Sequence, residues 1–210
     1  MKLWRPTGIH ELRLIYESGM RSFPARLVDQ PIFYPVTNKE YATQIALDWN
    51  TRRSGSGYVL SFEIADSYAD KFERKIVGAS AHEELWVPAE LLPDFNANLS
   101  TNIELDSAYF SDDFEGFLAP TPSFGGLHEA FHSGNARSQL IALSSPELRD
   151  RLDEVIQVYN TGIFLSYPYW CALNRTDFLA TQKSILDELH KLWLKSFSIP
   201  LCPGGQLETE

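Results

Sequence analysis

The chain has 210 residues and a formal net charge of −10, long enough for one sizeable core or for a domain with a helical extension, and too acidic for a protein that holds duplex phosphates by bulk charge. Two cysteines, Cys171 and Cys202, make neither a metal motif nor a disulfide framework. The opening MKLWRPTGIHE lacks the apolar core of a signal peptide and no apolar run is long enough to span a bilayer, so the expected setting is the cytoplasm, without a membrane.

In chain order, Leu3-Trp4-Arg5 reads as a short strand closed by Pro6, and Thr7 as the N-cap of a helix that carries Ile9, Leu12, Leu14, Ile15 and Tyr16 and stops at Gly19. A loop runs from Phe23 to Pro31. Ile32-Phe33-Tyr34 is a second strand, closed by Pro35. Asn38 caps a helix from Lys39 to Trp49, and the polar, glycine-containing segment Asn50 to Gly57 reads as a loop. Tyr58 to Ile64 alternates like a half-buried strand. A short helix at Asp66–Lys71 and an alternating strand at Phe72–Val77 follow.

The next stretch, VGASAHEELWVPAELL from Val77 to Leu92, is the one with chemistry in it. Small residues form a loop, His82, Glu83 and Glu84 follow, and Leu85-Trp86-Val87 is a buried strand stopped by Pro88. A loop that delivers acids to the start of an apolar strand places a carboxylate at a cleft rim, on a rigid support. A short helix near Leu91–Phe95 and a strand at Ile103–Phe110 complete the first half. Composition shifts at Ser111, and 111–126, rich in Pro and Gly, reads as a linker or crossing loop. Beyond it, 127–210 reads as helical. Ser145-Pro146-Glu147 starts a helix that Asn160-Thr161-Gly162 ends, Ile163–Leu173 is compatible with helix or buried strand, Thr176-Asp177 caps a last amphipathic helix, and the CPGGQLETE tail frays.

The words LWRPTG, FPARLVDQPIFYPVTNKEYATQIALDWN, GYVLSFEI and HEELWVPAELL followed by DFN make residues 1–110 resemble the ADP-ribosyltransferase superfamily, and within it a family of small bacterial proteins. The resemblance implies an α+β domain with a split, mostly antiparallel β-sheet and a central cleft, carrying a mainly helical C-terminal extension. It implies NAD as co-substrate and an unidentified protein or nucleic-acid acceptor. It places Arg5 at the basic position of the first strand, where other members have histidine. It places Tyr34 or Thr37 at the second position, in YPVTN rather than Ser-Thr-Ser. Glu84 takes the place of the catalytic glutamate, and His82, two residues before it, stands where many members have Glu or Gln facing the acceptor.

These residue types suit that chemistry. Cleaving the nicotinamide–ribose bond builds positive charge on the ribose, which a carboxylate such as Glu84 stabilises. The Arg5 guanidinium suits dinucleotide phosphates, Tyr34 or Tyr41 can stack on nicotinamide, and the start of the helix after Asn38 offers backbone donors. Each also has an ordinary reading. Arg5 is equally a surface strand residue, Tyr34 and Tyr41 core or rim aromatics, and Thr37 and Asn38 helix caps.

His128-Glu129-Ala130-Phe131-His132 competes as a literal H-E-x-x-H. On a helix, His128 and His132 share a face and can bind zinc, with Glu129 as base and Glu147, Asp153 or Glu154 as third ligand. The glycines at 125, 126 and 134 leave that helix short. A zinc hydrolase, or a non-catalytic interaction protein on a degenerate transferase fold, is therefore the alternative.

Overall fold

Phe23, Phe33, Phe62 and Phe95 come from four distant parts of the chain and meet tilted or edge-on, with ring centroids 4.8 to 6.0 Å apart. Packing of this kind adds to the burial of large rings and gives the first half its centre. The computed structural model describes residues 1–78, 82–112, 114–116, 136–173, 180–202 and 204–207. The chain divides into two compact units, Met1–Ser107 and Ala108–Glu210.

In the first unit, β1 (Lys2–Thr7) pairs antiparallel with β3 (Ser56–Glu63), Trp4 opposite Ser61 and Arg5 opposite Leu60. β6 (Glu104–Phe110) takes the other side of β3. A second, antiparallel sheet has the order β2 (Ile32–Phe33), β5 (Glu83–Pro88), β4 (Glu73–Ile76). Val36 joins the two sheets, since it forms a bridge with Trp4 of β1 and another with Glu84 of β5. Its N–H and C=O exchange bonds of 2.8 and 2.9 Å with Trp4, while Thr37 N–H donates to the Glu83 carbonyl and Leu85 N–H to that of Pro35. Around the sheets lie α1 (Ile9–Glu17), α2 (Lys39–Ile45), α3 (Arg52–Ser54), α4 (Asp66–Ala69) and α5 (Leu92–Ala97).

In the second unit, α6 (Ala136–Leu143), α7 (Pro146–Arg149), α8 (Leu152–Leu173) and α9 (Ala180–Ser196) dominate. Trp170 donates its indole N–H to the Ala136 carbonyl, tying α8 to the start of α6. The end of β6 pairs in parallel with β7 (Gly205–Leu207), Ala108 opposite Gly205. The architecture is thus α+β with one antiparallel and one mixed sheet. No helix among the described residues is long and apolar enough to cross a membrane.

Several local expectations change. β1 runs through Pro6 to Thr7, which an edge strand tolerates because one side of it needs no ladder. Gly8, not Thr7, is the N-cap of α1. Asn50–Gly57 is not a loop. α2 continues as a π-helical turn, Ala46–Thr51, then α3, and ends at Gly55 in the left-handed region with φ of 72°. The reason is a close approach that no pattern announces. Thr51 Oγ1 donates to the Ala46 carbonyl at 2.8 Å, and a Cβ on Gly57 would lie 2.1 Å from that same oxygen. β3 is buried on both faces apart from Glu63, not half-buried. In the second unit the helix that leads to Tyr159 does break there, directly before Asn160-Thr161-Gly162. A second helical stretch resumes at once and runs to Leu173, so α8 is two helices joined across a kink at Tyr159, where φ is −109° and ψ 22°. The tail does not fray up to Leu207 but forms β7, where Gly205 presses on the Pro168 carbonyl too closely for any side chain.

Gly57→Ala should therefore cost about 3 kcal/mol by overpacking against backbone that cannot move aside. The check is the urea midpoint, and a variant within experimental error of the wild type would refute the contact.

Candidate functional site

Residues 82 to 88 reach their positions through β5. The bridge between Glu84 and Val36, and the ladder of Glu84 with Lys75, fix the Glu84 backbone from both sides. Its carboxylate is held as firmly. Tyr41 Oη donates to Oε1 at 3.1 Å and Trp86 Nε1 donates to Oε2 at 3.0 Å. Glu84 is only 8% exposed, so these two charge-assisted bonds offset much of its desolvation. Each carboxylate oxygen keeps lone-pair capacity for a ligand hydroxyl. Trp86 shares a face with Glu84, two residues along a strand, and its ring is held from outside by Lys75, whose Nζ lies 3.7 Å from the ring centroid.

Tyr41 sits on α2, and α2 is placed by Asn38, whose Oδ1 accepts from Tyr41 N–H at 2.9 Å. Burial, then the neighbouring Glu84 charge, pushes the Tyr41 hydroxyl up to about 12, so it stays a donor at neutral pH. His82 stacks on the Tyr41 ring, with centroids 4.1 Å apart and planes 9° from parallel.

Glu84, His82 and Tyr41 line a cavity of about 940 Å³ that also takes in Arg5, Tyr34, Glu11 and Arg26, a volume suited to a ligand of several rings. The Arg5 guanidinium is buried, 5.1 Å from the Phe33 ring centroid and 5.7 Å from that of Tyr34. Its Nε and one terminal nitrogen each donate to Glu11 at 3.0 Å, a bidentate pair. Arg26 approaches the same carboxylate at 3.6 Å. Burial alone would depress the Arg5 guanidinium, but Glu11, Tyr34 and Glu84 outweigh it and hold it above its ordinary value. Burial pushes the Glu11 carboxyl up, and Arg5 and Arg26 outweigh that and hold it below the usual carboxylate range. Arg26, by contrast, is lowered by burial and then by repulsion from Arg5.

Five of the seven residues singled out in the sequence, Arg5, Tyr34, Tyr41, His82 and Glu84, therefore line one cavity, whereas Thr37 and Asn38 do not. Thr37 carries a bond of the β2–β5 seam through its backbone, and Asn38 caps α2. Sequence reasoning passed over Glu11, Arg26, Trp86 and the π-helical rim with Trp49, which is 73% exposed. Strand alternation was enough to find Trp86, but nothing in the loop carrying Arg26 announces its depth. The residues 128–132 of the H-E-x-x-H motif lie outside the described residues. Of its third-ligand candidates, Glu154 is paired with Arg151 at 2.8 Å, and the described residues contain no group of three His, Cys, Asp or Glu able to hold a metal ion. Compared with protein-family models, with curated proteins and with solved structures, the chain finds no match in any of the three.

Proposed function

We propose that the first unit is an ADP-ribosyltransferase-like domain that cleaves NAD and passes ADP-ribose to a macromolecular acceptor. The observation that carries this reading is Glu84, a buried carboxylate clamped at both oxygens by Tyr41 and Trp86 on the wall of a cavity that also holds buried guanidinium groups. The seam at Val36 between two sheets, next to that cavity, supports the split-sheet reading.

In this reading the bond between ribose C1′ and the nicotinamide nitrogen breaks, and nicotinamide leaves with the electron pair. Glu84 accepts a hydrogen bond from a ribose hydroxyl and stabilises the cation left on the sugar. The acceptor attacks C1′ and gives up a proton. His82, flat against Tyr41 and lining the same cavity as Glu84, is the group that takes that proton. Tyr34 and Tyr41 offer faces to nicotinamide. Arg5 contributes its field, since its fork already holds Glu11. Thr37 and Asn38 act through the backbone they position.

The test uses the full chain, NAD labelled in the adenylate and cell extract, with and without a chelator. Release of nicotinamide together with chelator-insensitive label in acid-insoluble material is the expected result. A purified protein that leaves NAD intact in every extract would remove the proposal, and an activity abolished by the chelator would favour the zinc reading of His128 and His132.

A further inference from the structure

The rim of the same cavity is unusually apolar. Leu14, Leu27, Tyr34, Trp49 and Val77 are exposed and all line it, half of the ten large hydrophobic side chains left exposed among the described residues. Such side chains scattered singly mean little, but a cluster at one opening marks a binding surface. Trp49 is the most exposed of the five. Its π-helical turn is pinned by the Thr51 bond to the Ala46 carbonyl and by the close approach of Gly57 on β3, and turns of this kind recur at functional sites. Arg53, one turn on, lines the cavity as well and has no ion-pair partner among the described residues. Asn50, next to Trp49, also lines it, with an Nδ2 that has no hydrogen-bond partner among them, and an open donor of this kind is costly. Around the cavity the guanidiniums of Arg5, Arg26 and Arg53 stand against the two carboxylates of Glu11 and Glu84, a local positive excess in a chain of net charge −10.

We propose that this rim binds single-stranded nucleic acid, with an unpaired base stacked on Trp49 and the strand's backbone against Arg53. An exposed indole beside a guanidinium takes a base on its face and a phosphate at its side, and an amide such as that of Asn50 pairs with base edges. A duplex keeps its base faces covered, and the acidity of the chain denies it the many phosphate contacts that duplex binding needs. A hydrophobic peptide would fill the apolar rim but give Arg53 no counter-charge. The proposal deepens the transferase reading by naming the class of acceptor, and rests on that reading only for what the strand is there to do.

The probe is fluorescein-labelled oligothymidylate, a strand with no structure of its own, bound to the full chain at low salt and followed by anisotropy, beside the same strand paired with oligoadenylate. The wild type should bind the single strand about tenfold or more tightly than the duplex. Trp49→Ala should weaken strand binding about tenfold, in the range lost when a stacking aromatic is removed, and Trp49→Phe should keep most of it. Arg53→Gln should reduce the salt dependence by about one phosphate contact. Both side chains are exposed, so these variants should melt with the wild type. A wild type that ignores the strand, a duplex bound as tightly, or a Trp49→Ala variant that binds the strand undiminished overturns the proposal. So does a Trp49→Ala variant that loses NAD binding to the same extent, because the indole would then hold the dinucleotide's adenine. Transfer of label to protein that survives nuclease treatment of the extract and needs Trp49 would overturn it too, in favour of a protein acceptor. Strand binding through Trp49 without any NAD cleavage would sink the transferase reading and leave the strand site in place, and NAD cleavage without strand binding would do the opposite.

Discussion

On the proposed transferase reading, Glu84→Gln should lower NAD cleavage by about 10² to 10³-fold, the cost of losing one electrostatic group aimed at charge that develops in a transition state. The substitution isolates charge from shape. Glutamine fills the same volume, its amide oxygen can accept from Trp86 Nε1, and its amide nitrogen can donate to Tyr41 Oη in place of the present Tyr41 donation, so contact with both partners is kept. Melting temperature should therefore hold while turnover collapses. Trp86→Phe should act more mildly, about tenfold on kcat with little change in KM for NAD, because it removes one of two bonds that aim the carboxylate. Nicotinamide release under saturating NAD is the measurement, and a Glu84→Gln enzyme within twofold of wild type would detach the carboxylate from the reaction.

The largest stability effect is expected at Glu11. Glu11→Ala removes the carboxylate that Arg5 and Arg26 share and leaves their two guanidiniums without it. Stranding buried charge in this way costs about 3 kcal/mol, the lower end of the usual range because Glu11 keeps a fifth of its surface exposed. The pH dependence has a definite sign. The Glu11 carboxyl is held below the ordinary carboxylate range, so its contribution is complete above the unfolded-state value and is lost as pH falls through the folded-state value. Urea unfolding should show wild type and variant well separated at pH 7 and converging below about pH 4. A gap that stays constant through acid would mean that packing, not the ion pair, sets the loss.

How legible was the site? Glu84 stood out because a polar run ended abruptly against Leu-Trp-Val-Pro, and a strand starting at a loop is a local pattern. Tyr41 and Asn38 were visible for a similar reason, as a cap and the first turn after it. Thr37 was singled out by the resemblance, yet it is not among the residues lining this cavity, and its backbone N–H is taken up in the seam by the Glu83 carbonyl. Arg26 and Glu11 escaped notice because their meaning is a shared contact with Arg5, and sequence distance says nothing about that. The π-helical turn escaped because it answers to Gly57 on β3.

Read alone, the chain established the strands and helices of the first half to within a few residues, since hydrophobic period, proline and glycine act over one or two turns. It also established that a carboxylate stands at the start of β5. Tertiary structure alone decided that Val36 joins two sheets, that Arg5 and Arg26 meet at Glu11, and that a second helical stretch resumes directly after the kink at Tyr159. Each of those outcomes depends on which distant groups share one buried volume, and desolvation sets their energies only once the chain has closed around them.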